Sequence, residues 1–582
     1  MKLRKKATFG VAALLVAGSL VSCTAGGGER EAIEEFPESW DETITIDVFD
    51  GLANYMGIQQ GWFAKLVEDK FNMKLNIIAP NVAGGGDTLF NTRVAAGDLG
   101  DLIITDKGER LTELVEGGLL MDATPYLPAM EHVSAYKPAL DYLNDGKDGV
   151  FGFPSNVSSL SPTEPSEGLE PIFGAYVRWD YYKELGYPEI DTVEDLLPIL
   201  ADMQAAHPTA DNGNPTYAFS LFKDWDGNMM VAGKQTATFY GYDELGFALA
   251  RADGSDFQSI LDPDSEYMRN LELYFEANQL GLLDPESTTQ NYDTVYSKYQ
   301  NGQVLFSWWP WLAQAAYNTD ANTAEGKGFM MAPVADQKSY SVGAEIYGGG
   351  QVFAIGSKAE DPERIAAFVD WLYSPEGAYV NSSQVGASSG PQGLTWDVND
   401  AGEPELTEFG REVFLQGGGV VPEEWGGGNY ADGVSALNLS AVVPVDVDPS
   451  TGLPYSYTLW PTYQESIADP LSEDWSAAMG GAASTMDYLK ERDQILVATG
   501  ASFTTPADSS EIETLRNQIK EIIKQFSWQM VSAESESQFD SLRKEMIDTA
   551  NGLGYEKVLS VDMDNAQAQA DARSAVAEEF GD

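Results

Sequence analysis

The sequence predicts an α/β chain of two or more lobes, built on doubly wound sheets and ending in a helical region. Three observations predict it: strand and helix patterns alternate from Thr43 to Thr105, a second such pattern follows the extended segment FGFP (Phe151–Pro154), and about 75 C-terminal residues are amphipathic at helical spacing. The length of 582 residues leaves room for several units, each of about 100 to 200 residues. A composition with 43% hydrophobic and 11% aromatic residues is that of a globular chain.

From Thr43 the residues alternate, with Ile44, Ile46 and Val48 on one face of a strand. DGLANYMG, from Asp50, is a polar loop. Gln60 to Phe71 sets Phe63, Leu66 and Val67 at helical spacing, Lys74 to Ile78 is again a strand, and a helix runs from about Thr88 to Ala96. DLIIT (Asp101–Thr105) is a short apolar strand of the kind buried on both faces of a parallel sheet. Strands alternating with helices imply right-handed crossovers, and such sheets bind ligands beyond the carboxyl ends of their strands. That rule marks Asp50, Asn54, Tyr55 and Asp106.

Beyond FGFP, Tyr176 to Tyr182 and the helical stretch Thr192 to Ala206 belong to the second pattern. NGQVLFSWWPWL, from Asn301, predicts a strand ending at Trp308 or Trp309, with Pro310 at the first position of a helix. MAPVADQ, from Met331, is a second extended crossing. Gly348 to Gly350 turn the chain into a strand, Gln351 to Ile355, and a helix from Pro362 to Tyr373 is ended by Ser374, Pro375 and Gly377. Glu511 to Met530 places Ile512, Leu515, Ile519, Ile522, Ile523 and Phe526 at helical spacing, and another helix begins near Ser537. There is no internal repeat.

Charge and cysteine usage narrow the partners. With 91 Asp plus Glu against 34 Lys plus Arg, the chain carries −57 and repels nucleic acid and anionic lipid headgroups. The one cysteine, Cys23, follows a basic run (Lys2, Arg4, Lys5, Lys6) and an apolar stretch from Ala7 to Val21 too short to span a bilayer with ease. LVSC, Leu20 to Cys23, resembles the lipobox of bacterial lipoproteins. The expectation is a signal peptide at 1–22, acylation of Cys23, a flexible Gly-rich and acidic tether at 23–40, and a mature chain anchored to the membrane from outside, with stability supplied by core packing in place of disulfides.

Several segments together resemble the extracellular solute-binding proteins of family 1, which deliver ligands to ABC importers, and in particular a larger lipoprotein branch associated with oligosaccharide uptake. They are AAGDLGDLIIT (Ala95–Thr105), VRWDYYKELGYPEIDTVEDLLPIL (Val177–Leu200), NGQVLFSWWPW (Asn301–Trp311), PERIAAFVDWLYSPEGAYV (Pro362–Val380) and the terminal helices, in the family's order. The resemblance implies a periplasmic-binding-protein-like fold of two α/β lobes that close over an oligosaccharide by hinge motion, a monomer working with ABC permease subunits, and no catalysis. It also implies lobe 1 at 41–152 and 333–415, and lobe 2 at 153–332 and 416–582. Members of the branch carry a calcium loop where this chain has TADNGNPT (Thr209–Thr216). Asp211, Asn212 and Asn214 alone fall short of the roughly 6 to 8 oxygens calcium takes, so a turn is expected and no metal or cofactor. Asp224 with Asp226, and Asp446 with Asp448, lack the closing Glu of an EF-hand loop.

Sugar binding needs flat apolar faces for the ring and planar polar groups for its hydroxyls. Trp308 and Trp309, in a cluster with Trp311, are the sharpest candidates, and since adjacent strand residues point oppositely at most one of the pair should face a ligand fully. Trp179, Trp225, Trp425 and Trp460 lie in or beside predicted loops, and Arg178 and Tyr347 complete the set. A glycoside hydrolase is the rival class, because paired carboxylates beside tryptophans suit it too. It lacks support from a zinc signature, and the only histidines are His132 and His207. A receptor for basic peptides with the same fold would exploit the negative charge.

Overall fold

The computed structural model describes residues 32–83, 86–210, 212–382 and 388–581. The leader, Cys23, the start of the tether and Asp211 lie outside the described residues.

The first lobe is a six-stranded sheet in the order Gly57–Ile58, Met73–Ile78, Ile44–Asp50, Leu102–Asp106, Gln351–Ile355, Phe153–Pro154. Ile44–Asp50 pairs in parallel with Met73–Ile78 on one side and Leu102–Asp106 on the other. Successive crossovers therefore go opposite ways, which makes the carboxyl ends of Ile44–Asp50 and Leu102–Asp106 the switch point of the sheet. The apolar run Leu102–Ile104 has its reason here. Leu102 and Ile104 enter one core with Phe353 and Ile355, while Ile103 enters another with Phe49, Val352 and Ala354. Gln351–Ile355 and Phe153–Pro154 close that side antiparallel, so FGFP ends as an edge strand.

The second lobe is mixed. Tyr176–Arg178 lies between Phe306–Ser307 and Phe329–Met331, antiparallel to both. Parallel bridges Tyr217 to Val304 and Phe219 to Leu283 widen this sheet. Helices Leu196–Ala206, Glu266–Gln279 and Pro310–Tyr317 cover it, and Pro310 opens its helix as the sequence predicts. The C-terminal region is three helices, Ser510–Val531, Glu536–Gly552 and Tyr555–Phe580, the last separated by Gly554 in the left-handed region at φ 97°. Ile519, Ile523, Met546 and Val558 carry all three into the second core. No helix among the described residues is long and apolar enough to cross a membrane.

Packing corrects the boundary at 416. Val421, Leu437, Leu439 and Trp460 are buried in the first-lobe core with Trp62, Phe368 and Tyr379, and only from Leu471 does the chain join the second core. Between the lobes, Ser339–Val342 pairs in parallel with Ile495–Ala498, and Gly343 bridges to Pro165. A Cβ on Gly343 would stand 1.9 Å from the Pro162 carbonyl oxygen, so this crossing admits no side chain there.

Candidate ligand-binding site

The strand Phe306–Ser307 delivers two tryptophans in opposite directions. Trp308, 3% exposed, turns inward, where its Nε1 donates to the Tyr274 hydroxyl at 3.0 Å and its ring meets Phe306 and Phe239 edge-on. That indole is committed to core partners. Trp309, 8% exposed, turns outward to Trp311 at 5.2 Å and Trp225 at 6.2 Å between ring centroids. Trp225 and Trp311 are 45% and 42% exposed, and Trp225 stacks on Tyr292 at 4.8 Å and 26°. The result is an aromatic platform of Trp309, Trp311, Trp225 and Tyr292 on the second lobe.

Two aspartates hold it. Asp224 accepts from the Tyr292 backbone N–H at 2.8 Å, tying the Trp225 loop to the start of helix Tyr292–Gln300. Asp226 accepts from the Val231 N–H at 2.9 Å and the Trp528 indole N–H at 2.7 Å, and its burial raises its pKa. These carboxylates flank exposed indoles, the pattern that made a hydrolase a rival, yet both are engaged in fixing the loop. Tyr292 is not among the sequence candidates, and Trp311 enters there only as a member of the Trp308–Trp309 cluster. The signals were Tyr292 and Tyr296 at helical spacing of four, and Trp311 two residues beyond Trp309.

On the first lobe the switch point separates its candidates. Asp50 is fully buried: its Oδ1 accepts from the Leu52 and Ala53 N–H groups at 2.8 and 3.1 Å, while Oδ2 has no hydrogen-bond partner. Burial pushes its pKa up to about 7. It holds the turn from inside. Asn54 and Tyr55 stand exposed on that turn, the Tyr55 hydroxyl donating to the Ile58 carbonyl at 2.7 Å. Asp106 is exposed, with Arg110 Nε at 3.8 Å and the Gln351 amide at 3.5 Å.

Four other candidates have partners within the protein. Arg178 is buried, its guanidinium forked on Asp180 at 3.0 and 2.7 Å and sandwiched between the Tyr181 and Tyr317 rings. Trp179 is buried with Nε1 on Asp474 at 2.9 Å, and Trp460 is buried with Nε1 on the Pro454 carbonyl at 2.7 Å. Tyr347 stacks on Tyr142 at 4.5 Å, joining the crossing to the first lobe. Trp425 is half-buried and lines a first-lobe cavity of about 620 Å³ with Trp396 and Tyr379, away from the platform.

Among the described residues no group of three or more His, Cys, Asp or Glu could hold a metal ion. In the segment after His207 the Ala210 N–H donates to the Asn214 carbonyl and Gly213 takes φ 82°, a turn. Asp446 accepts from Ser159 and Tyr136, and Asp448 from Ser450 and Tyr379, so both are spent inside the first lobe.

Two lobes, three segments running between them and an exposed aromatic platform are joined by a sequence match to bacterial extracellular solute-binding proteins over residues 57–379. The chain belongs to that family. Among solved structures it is similar to an HMO-binding, ABC-transporter-associated solute-binding protein from Bifidobacterium longum infantis, with TM-score 0.55 and 15% identity over 91% of this chain and 99% of that one. An extracellular solute-binding protein from Bifidobacterium longum subsp. infantis gives TM-score 0.53 and 15% identity over 91% and 98% of the two chains. At that identity the likeness is one of fold. No curated protein matches the chain. As a solute-binding protein it captures its ligand outside the cell.

Proposed function

We propose that this solute-binding protein is a lipid-anchored receptor, held at Cys23, that captures an intact oligosaccharide between its lobes and hands it to ABC permease subunits. The exposed platform of Trp225, Trp311 and Tyr292 carries the reading, because pinned indole faces stack on pyranose C–H surfaces. The fold shared with a protein described as HMO-binding supports it, and the LVSC sequence supports the anchor. Catalysis has no matching support, since the two acids beside the platform are taken up by backbone and indole N–H groups.

Titration calorimetry against plant, host and storage oligosaccharides, with chromatography of the recovered ligand, tests this. Saturable binding of unshortened ligand is expected. Chain shortening would make the protein a hydrolase, and saturable heat from basic peptides alone would make it a peptide receptor.

A further inference from the structure

We propose that the first lobe contains a separate subsite for an uncharged sugar ring, in the cavity between the turn at Asn54–Gln60 and the loop 431–438. This rests on the oligosaccharide reading and deepens it by naming the charge class of ligand. The cavity measures about 520 Å³, within the range of small-molecule sites. Its walls come from segments far apart in sequence: Asn54, Tyr55 and Gln60 on one side, Asp432, Ser435 and Asn438 on the other.

The walls are fixed to one another. The Gln59 amide donates to the Val434 carbonyl at 2.9 Å and accepts from the Ala436 N–H at 2.7 Å. The Asn438 amide donates to the Leu52 carbonyl at 2.8 Å, and the Trp62 indole donates to the Tyr430 carbonyl at 3.0 Å. The backbones meet so closely that a Cβ on Gly61 would stand 2.4 Å from the Gly433 Cα. Such support holds a binding constellation in place before ligand arrives.

Three groups are left to meet a ligand. The Tyr55 ring is 42% exposed and its hydroxyl is anchored, so its face is presented in one orientation. Among the described residues, the Asn54 amide and the Asp432 carboxylate have no hydrogen-bond or ion-pair partner. An aromatic face, an amide that both donates and accepts, and a carboxylate that accepts from two neighbouring hydroxyls match a hexose with a free vicinal diol. Among the described residues no Lys or Arg lines the cavity, and Asp432 is its one charged residue. A uronic, sialic or sulfated ring would bring its negative charge against that carboxylate with no cation to offset it.

The test is calorimetry on the lipid-free mature chain with neutral milk, fructan and galactan oligosaccharides beside sialylated milk oligosaccharides and oligogalacturonides. A neutral ligand should bind best. Asp432→Asn and Asn54→Ala should each weaken it at least tenfold without changing the melting temperature, and Asp432→Asn should narrow the gap between neutral and acidic ligands. If both variants bind the neutral ligand like the parent while Trp225→Ala is weakened, the subsite is refuted and the receptor reading stands. Tighter binding of an acidic glycan overturns the charge assignment. No binding by any glycan defeats the receptor reading itself, and the subsite with it.

Discussion

At the residue scale, exposure divides tryptophans that the sequence could not tell apart. Trp225 leans on the platform with nearly half its surface in solvent, whereas Trp308 is sealed by Tyr274. Trp225→Ala should therefore weaken oligosaccharide binding more than tenfold, about 1.4 kcal/mol or more, with a melting temperature near the parent's. Trp308→Ala should do the opposite and cost roughly 3 to 5 kcal/mol of stability, which paired calorimetric and melting measurements would show. Composition and neighbours drew attention to Trp225 and Trp309, but the same signals drew it to Trp179 and Trp460. An indole hydrogen bond to Asp474 or the Pro454 carbonyl is a long-range or turn-specific event that spacing does not encode. Asp50 was legible as the residue at a strand's carboxyl end and illegible as a buried one. Its pKa of about 7 lies above the unfolded value of 3.8, so the native state binds the extra proton and Asp50 costs stability progressively as pH rises from about 4 to 7. Asp50→Asn should relieve that cost, with a gain roughly 2 kcal/mol larger at pH 8 than at pH 5. Equal gains at both pH values in chemical denaturation would show that Asp50 titrates normally.

At the element scale, strands and helices with clear periods were readable within a residue or two. Pro362–Tyr373 agrees at both ends because Asp361 caps it and Ser374, Pro375 stop it. The region from 416 to 470 was not readable, since it is short turns and 3₁₀ segments whose lobe is decided by distant contacts such as Trp460 against Trp396. The third terminal helix was hidden because Tyr555–Phe580 is rich in Ala and acidic residues, with few apolar positions to mark a face. A polar attachment joins the apolar one at Tyr555 and Val558: buried Asp562 accepts from Arg516 at 2.8 and 2.7 Å and from the Phe247 N–H at 2.7 Å. Asp562→Ala would leave the guanidinium with Asp508 alone and the amide unpaired. It should cost about 3 to 5 kcal/mol, and hydrogen exchange should report the loss first in Tyr555–Phe580. Parent-like protection there would mean that apolar contacts hold the helix.

At the scale of the whole molecule, the −57 charge keeps the receptor soluble and away from anionic surfaces, so membrane attachment depends on the acyl chain proposed at Cys23. Cys23→Ser protein should appear in the medium with its melting temperature unchanged, and retention on cells would contradict the anchor. The chain passes between the two cores in three segments, 158–174, 335–352 and 461–470, and lobes joined by so few segments suit hinge motion. A ligand that touches both the platform and the first-lobe turn binds the closed state more tightly than the open one, and so must shift the protein toward closure. Small-angle scattering of the mature chain with and without a saturating oligosaccharide measures that shift directly. The account predicts a smaller radius of gyration with ligand bound, and an unchanged radius at saturation would contradict capture between the lobes.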